Sequence, residues 1–198
     1  MADPTPGLHP AQNRALRELY AGGRELAAHY EQLAPHLPAG PGREVLESVA
    51  GTARDLLEEL RELTGTYGLF GQPAAQGVGA RFAGVRRVFD KGLERNQALR
   101  YAVLDLQHLT TLLAYLAALG EQRSDEEMAG FCGRWERKLK RQEGAARKAV
   151  IAMAERPDDA IAPLDDGRVG KVAHGMANAA GTFGEWLDRQ AGRRRTPD

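Results

Sequence analysis

Cysteine is almost missing from this chain: Cys132 is the only one in 198 residues. A single thiol excludes an intrachain disulfide and suits a reducing compartment. Net charge is missing too, because Lys+Arg and Asp+Glu both number 27. Without an excess of one sign there is no global field to recruit nucleic acid or an anionic membrane. Apolar runs are short, and none reaches the roughly 18 residues that a membrane span requires. The opening Met1-Ala-Asp-Pro-Thr-Pro-Gly has neither a basic n-region nor an apolar h-region, so no secretory signal is expected. Strand-like alternation is absent as well. What remains is 42% hydrophobic and 27% charged, the composition of a globular protein with one domain and some tail. Cytoplasmic placement is the expectation.

Helical periodicity fills most of the chain. A first helix is predicted from about Ala11 to Ala34, where Leu16, Leu19, Tyr20, Leu26, Tyr30 and Leu33 recur at helical spacing. Pro35, Pro38 and Pro41-Gly42 break it. A second helix, from about Arg43 to Thr66, carries Val45, Val49, Leu56, Leu60, Leu63 and Tyr67 on one face. So short a link predicts an antiparallel hairpin. Residues from Gly68 to about Asn96 are rich in glycine, while Phe82, Val85, Val88 and Phe89 keep helical spacing. This is the one long crossover, read as a loop and a short crossing helix.

A third helix is expected from about Gln97 to Leu119, stopping at Gly120 as a C′ residue. Ser124-Asp-Glu-Glu127 has the spacing of a capping box and should start a long fourth helix. That helix carries Met128, Phe131, Cys132, Trp135, Leu139, Ala146, Val150 and Met153, and Pro157 sets its end. After a polar link, Val169, Val172, Met176, Ala180, Phe183 and Leu187 repeat every three or four residues, with Trp186 beside them. Four glycines in that segment each cost roughly 1 kcal/mol relative to Ala, so it should be helical only when docked. The organisation is therefore a flexible terminus at 1–10, a helical bundle at 11–156, a linker and amphipathic helix at 157–192, and a basic tail at 193–198.

Hairpin, long crossover, hairpin is the connectivity of ferritin-like bundles. Leu16-Arg-Glu-Leu-Tyr20, Leu63-Thr-Gly-Thr-Tyr-Gly68, Gly71-Gln-Pro73 and Ala114-Tyr-Leu-Ala-Ala-Leu-Gly120 resemble the YciE/YciF-like stress-protein family of such bundles, over roughly residues 12 to 155. The resemblance implies an all-α, ferritin-like four-helix fold and an association with stress. In members with a di-iron site it also implies inward carboxylates and Glu-x-x-His pairs on two helices. Here the first helix has Gly22-Gly23 where a carboxylate would be expected, and the second has Gly51-Thr-Ala-Arg-Asp55 with no histidine. No cofactor and no catalytic residue is expected.

One fragment of such a site survives. Asp105 and His108 stand three apart on the third helix, the spacing that sets a carboxylate and an imidazole on one face. They are residual metal candidates, with Glu136 or Glu143 as a further carboxylate. Leu99, Val103, Leu106, Thr110 and Leu113 define the inward stripe, however, and both candidates lie away from it. Glu25 and His29, four apart on the first helix, read as a surface pair.

From Leu106 to Gly120 there is no Asp, Glu, Lys or Arg. A helix apolar nearly all round is buried on both sides. A second stripe (Tyr101, Leu104, His108, Leu112, Tyr115, Leu119) must therefore meet the crossing helix, the carboxy-terminal helix or a second subunit. Tyr101, Leu112, Tyr115 and Leu119, with Phe183 and Trp186, are the candidate interface residues, and a homodimer or a protein partner is expected. Arg134, Arg137, Lys138, Arg141 and Lys148 form a basic stripe, countered by Glu44, Glu47, Asp55, Glu58, Glu59 and Glu62 of the second helix. It reads as a solvated face, its rival being a nucleic-acid or membrane-surface adaptor. No specific nucleic-acid partner, no transmembrane segment and no small-molecule substrate is identified. Cys132, on the core stripe, should be buried and not nucleophilic.

Overall fold

The computed structural model describes residues 7–69 and 93–164. The expected crossing helix and the carboxy-terminal segment with Phe183 and Trp186 lie outside them, as do both termini. The described chain is all-α: α1 (Pro10–Leu33), α2 (Pro41–Thr66), α3 (Arg95–Gln122), α4 (Glu126–Ala152) and the short α5 (Pro157–Ala160). Among the described residues there is no strand, only an isolated bridge between Glu94 and Pro163.

Local chemistry sets the ends. His9 caps α1 reciprocally: its Nδ1 accepts from Ala11 N at 3.1 Å and its own N–H donates to Gln12 Oε1 at 3.0 Å. Pro10 and Pro41 each occupy a first helical position, where a missing N–H costs nothing. Between them the chain makes a 3₁₀ turn at Ala34–His36, and the Arg43 guanidinium latches that turn by donating to the carbonyls of Leu37 and Pro35. The prolines end one helix as predicted, whereas Pro41 and Gly42, expected in the connection, open the next.

Two details at the α3–α4 junction correct the sequence reading. Gly120 is not a C′ residue, because α3 continues to Gln122. Its importance is proximity: a Cβ there would stand 2.8 Å from Ala129 N and 3.0 Å from Asp125 O, both backbone atoms. Ser124 is not the cap either. It takes a positive φ of 55° in the turn, and Asp125 caps α4 by accepting from Met128 N at 3.0 Å.

The helices pack side by side, α1 and α4 each against both α2 and α3. Cross-helix contacts give the directions. Thr66 meets Glu127 while Ser48 meets Gln142, so α2 and α4 are antiparallel. His29 meets Asp105, Tyr30 donates to the Ala102 carbonyl, and Glu18 meets His108, so α1 and α3 are antiparallel too. Consequently α2 and α3 run the same way, and residues 70–92 join opposite ends of the array. One core unites all four helices, with Leu16, Leu19, Leu46, Leu56, Leu60, Leu106, Leu113 and Met128 under 2% exposed. Burying each such leucine stabilises the fold by about 2 kcal/mol.

Past α4 the chain turns at Met153–Glu155 and α5, then returns to the start of α3. There Arg95 N donates to Ala162 O at 3.0 Å and Leu164 N to Leu93 O at 2.9 Å. The last described residues are thus fixed beside the first turn of α3. Helix α3 is also long and apolar enough to cross a membrane, with a mean hydropathy of 1.4 over its best 18 residues, though no unbroken apolar run predicts this. Of that window 44% is buried within the chain.

Candidate functional site

The residual metal candidates lie on the α1–α3 seam. Glu18, Glu25, Asp105 and His108 line a surface cleft of about 220 Å³ floored by Gly22 and Leu109. Each of the two α3 candidates meets a different α1 residue: Asp105 Oδ2 lies 3.7 Å from His29 Nδ1, and His108 Nε2 lies 3.2 Å from Glu18 Oε1. Glu18 and His29 are eleven residues apart, about 16 Å along the helix, so the two pairs diverge. Glu136 and Glu143 do not join them. Glu136 accepts from Lys140 at 3.3 Å, and Glu143 accepts from Gln107 at 3.0 Å on the α3–α4 seam. Among the described residues no group of three or more His, Cys, Asp or Glu is placed to hold a metal ion.

The positions that lack ligands are filled by packing. A Cβ on Gly22 would stand 2.8 Å from Leu109 Cδ2, so the missing side chain is what lets α1 and α3 approach. On α2, Thr52 and Ala53 are buried, and Thr52 Oγ1 accepts from Gln142 Nε2 at 2.7 Å. His29 corrects the sequence reading. Its side chain is only 10% exposed and faces Asp105, so it lies in the seam between two helices and not on the surface.

The basic stripe of α4 is partly neutralised by α2. Arg134 pairs with Glu59 at 2.8 Å and Lys138 with Asp55 at 3.4 Å. Trp135 Nε1 also donates to Glu59 at 3.0 Å, and Lys138 Nζ lies 4.4 Å from the centre of the Trp135 ring. Arg137, Arg141 and Lys148 remain exposed. Cys132 is fully buried, and burial first, then the Asp125 carboxylate, pushes its thiol up to about 12. At neutral pH it is a protonated thiol packed in the core and a poor nucleophile. Tyr67 closes the other end of this seam by donating to both Asp125 oxygens, at 2.8 and 2.9 Å. Burial, reinforced by that hydrogen bond, holds its phenol well above the ordinary range.

The remaining feature is the outer side of α3. Tyr101, Leu104 and Tyr115 are 45%, 55% and 49% exposed, three of the five large hydrophobic side chains exposed among the described residues. His108, Thr111, Ala114 and Ala118 are exposed beside them, and Leu119 is half-buried. Leu112 differs from expectation: it is buried and belongs to the core, not to an outer face. Leu104 and His108 belong to the predicted second stripe but not to the candidate interface set, and the same periodicity reaches Thr111 and Ala118. The expected burial of this face is therefore not supplied by the four long helices. Comparison with known proteins finds no matching protein-family model, no similar curated protein and no similar solved structure.

Proposed function

We propose that this chain is a ferritin-like four-helix bundle whose metal ligands have been replaced by packing residues, and that it acts through protein–protein contact. The connectivity supports the first part, since two hairpins with α2 and α3 running the same way is the plan of ferritin-like bundles with one long crossover. The resemblance to YciE/YciF-like proteins adds a stress-associated setting, and the single cysteine fits a reducing cytoplasm. For the second part, the observation that carries the reading is the outer face of α3. A soluble surface rarely leaves two tyrosines and a leucine half-exposed in a stretch so poor in charge unless something meets them. The metal and nucleic-acid readings have no comparable support, because Asp105 and His108 diverge and two of the basic residues are already paired.

Self-association is the simplest form of such contact, two-fold dimers being the commonest assembly. Sedimentation across a concentration series tests it. The wild-type chain should show a monomer–dimer equilibrium, and Leu104→Asp with Tyr115→Asp should weaken it at least tenfold. A strict monomer at every accessible concentration, both in the wild type and with Phe183→Asp and Leu187→Asp, would rule the dimer out.

A further inference from the structure

We propose that the outer face of α3 meets the same face of a second copy as an antiparallel helix pair, with Tyr101 of one chain against the partner's Ala118. The inference rests on the reading of that face as the contact surface, and adds the partner and the register. Three observations carry it.

The first is spacing. The exposed row Tyr101, Leu104, His108, Thr111, Tyr115 and Ala118 advances by alternating steps of three and four residues. That repeat is the seam of a left-handed helix pair, which crosses at about 20° and seats side chains of each helix between those of the other. The row also reads the same from either end, so a two-fold axis across its middle sets every member against another member. The second is size. In the antiparallel pair Tyr101 lies opposite the partner's Ala118, Leu104 opposite the partner's Tyr115, and His108 opposite the partner's Thr111. Each ring thus faces a smaller side chain. Thr111 already donates its hydroxyl to the Gln107 carbonyl at 2.7 Å, which leaves its methyl for the seam. A parallel pair would instead set Tyr115 on the partner's Tyr115 and Ala118 on the partner's Ala118, crowding one layer and leaving a gap in the next.

The third is charge. Arg100 and Glu121 are exposed, and each stands one residue before a seam position, at opposite ends of the row. Such flanking positions set the orientation of a helix pair through the charges they carry. Antiparallel packing brings Arg100 to the partner's Glu121 and Glu121 to the partner's Arg100, so two ion pairs bracket an uncharged seam. Within one chain the two residues lie about 31 Å apart along α3 and cannot meet. A parallel pair would offer Arg100 only the partner's Asp105, a carboxylate 21% exposed beside His29.

Sedimentation of charge-reversed full chains tests the pairing, with circular dichroism to show that each variant keeps its helices. Arg100→Glu and Glu121→Arg should each weaken the dimer at least fivefold, since each sets like charges together at both ends. Mixed in equal amounts, the two variants should associate at least fivefold more tightly than either alone, because every flanking contact is again between opposite charges. A short bifunctional maleimide reads the register. Leu104→Cys mixed with Tyr115→Cys should give covalent dimer, and Leu104→Cys alone should not, its two copies lying about 16 Å apart along the seam. Cys132 is buried and leaves the reagent one accessible thiol per chain. Rapid cross-linking of Leu104→Cys to itself, or a mixture no tighter than the single variants, would overturn the antiparallel pair. If Leu104→Asp with Tyr115→Asp still disrupts that dimer, the contact-surface reading stands and only the register fails. A strict monomer in both the wild type and the mixture would overturn the second copy as partner as well.

Discussion

Gly120 and Gly51 both sit inside long helices, yet replacing each by alanine should have opposite effects. Alanine in a helix interior is favoured over glycine by about 1 kcal/mol, through lower backbone entropy in the unfolded chain. At Gly51 a new Cβ meets nothing within 4 Å, so Gly51→Ala should keep that gain and raise the melting temperature by about 2–4 °C. At Gly120 the Cβ would lie 2.8 Å from Ala129 N and 3.1 Å from Ala129 Cα. Those atoms belong to the backbone of α4 and cannot rotate away, so α3 and α4 must separate at their junction. Overpacking of this kind costs about 1–3 kcal/mol, which exceeds the propensity gain. A net loss of up to about 2 kcal/mol is expected, hence a difference of about 1–3 kcal/mol between the two variants. Urea denaturation followed by circular dichroism, with unchanged m, reads both. If Gly120→Ala stabilised as much as Gly51→Ala, the close approach of the two helices would be wrong.

Other outcomes follow from the same contacts. Tyr67→Phe removes the donor to Asp125, which also caps α4, and should cost about 1 kcal/mol in the same titration. Above pH 9, the ordinary thiol value, the unfolded chain loses the Cys132 proton while the folded chain holds it up to about 12. The unfolded state then binds fewer protons, so stability should fall as pH rises through that window, and less steeply in Cys132→Ala. Equal slopes in the two proteins would show that burial of the thiol has been misjudged. Purified protein should hold no stoichiometric iron or manganese by elemental analysis. Two equivalents of tightly bound iron, or ferroxidase activity lost on His108→Ala, would reverse the assignment of Asp105 and His108.

Much of the fold was legible because helix periodicity and proline are strong local signals. The four long helices begin and end within three residues of their predicted limits, except that α4 stops at Ala152, ahead of Pro157, where a 3₁₀ turn follows; Pro35, Pro38 and Pro41 mark the first reversal as expected. What the sequence hid depends on a neighbouring helix. Gly120 looks like a terminator by itself, and only the closeness of Ala129 shows that it is a packing residue. His29 flanks a stripe, and nothing in α1 alone reveals that α3 will bring Asp105 against it. Leu112 shares its spacing with Tyr101 and Tyr115, but four-sided packing draws it inward and leaves the tyrosines out. The candidate site was legible in the same uneven way. The charge-free stretch and the missing ligands could be read directly, whereas the divergence of Asp105 and His108 required the partners that each finds on α1.

The central claim is that contact with a partner occurs on the outer face of α3. A dilution series of the isotope-labelled full chain, read by amide and methyl NMR, addresses it most directly. Concentration-dependent shifts should gather at Tyr101, Leu104, His108, Thr111, Tyr115 and Ala118, the exposed row along α3. Shifts confined to Arg137, Arg141 and Lys148 on α4, with the α3 row unmoved, would contradict the account.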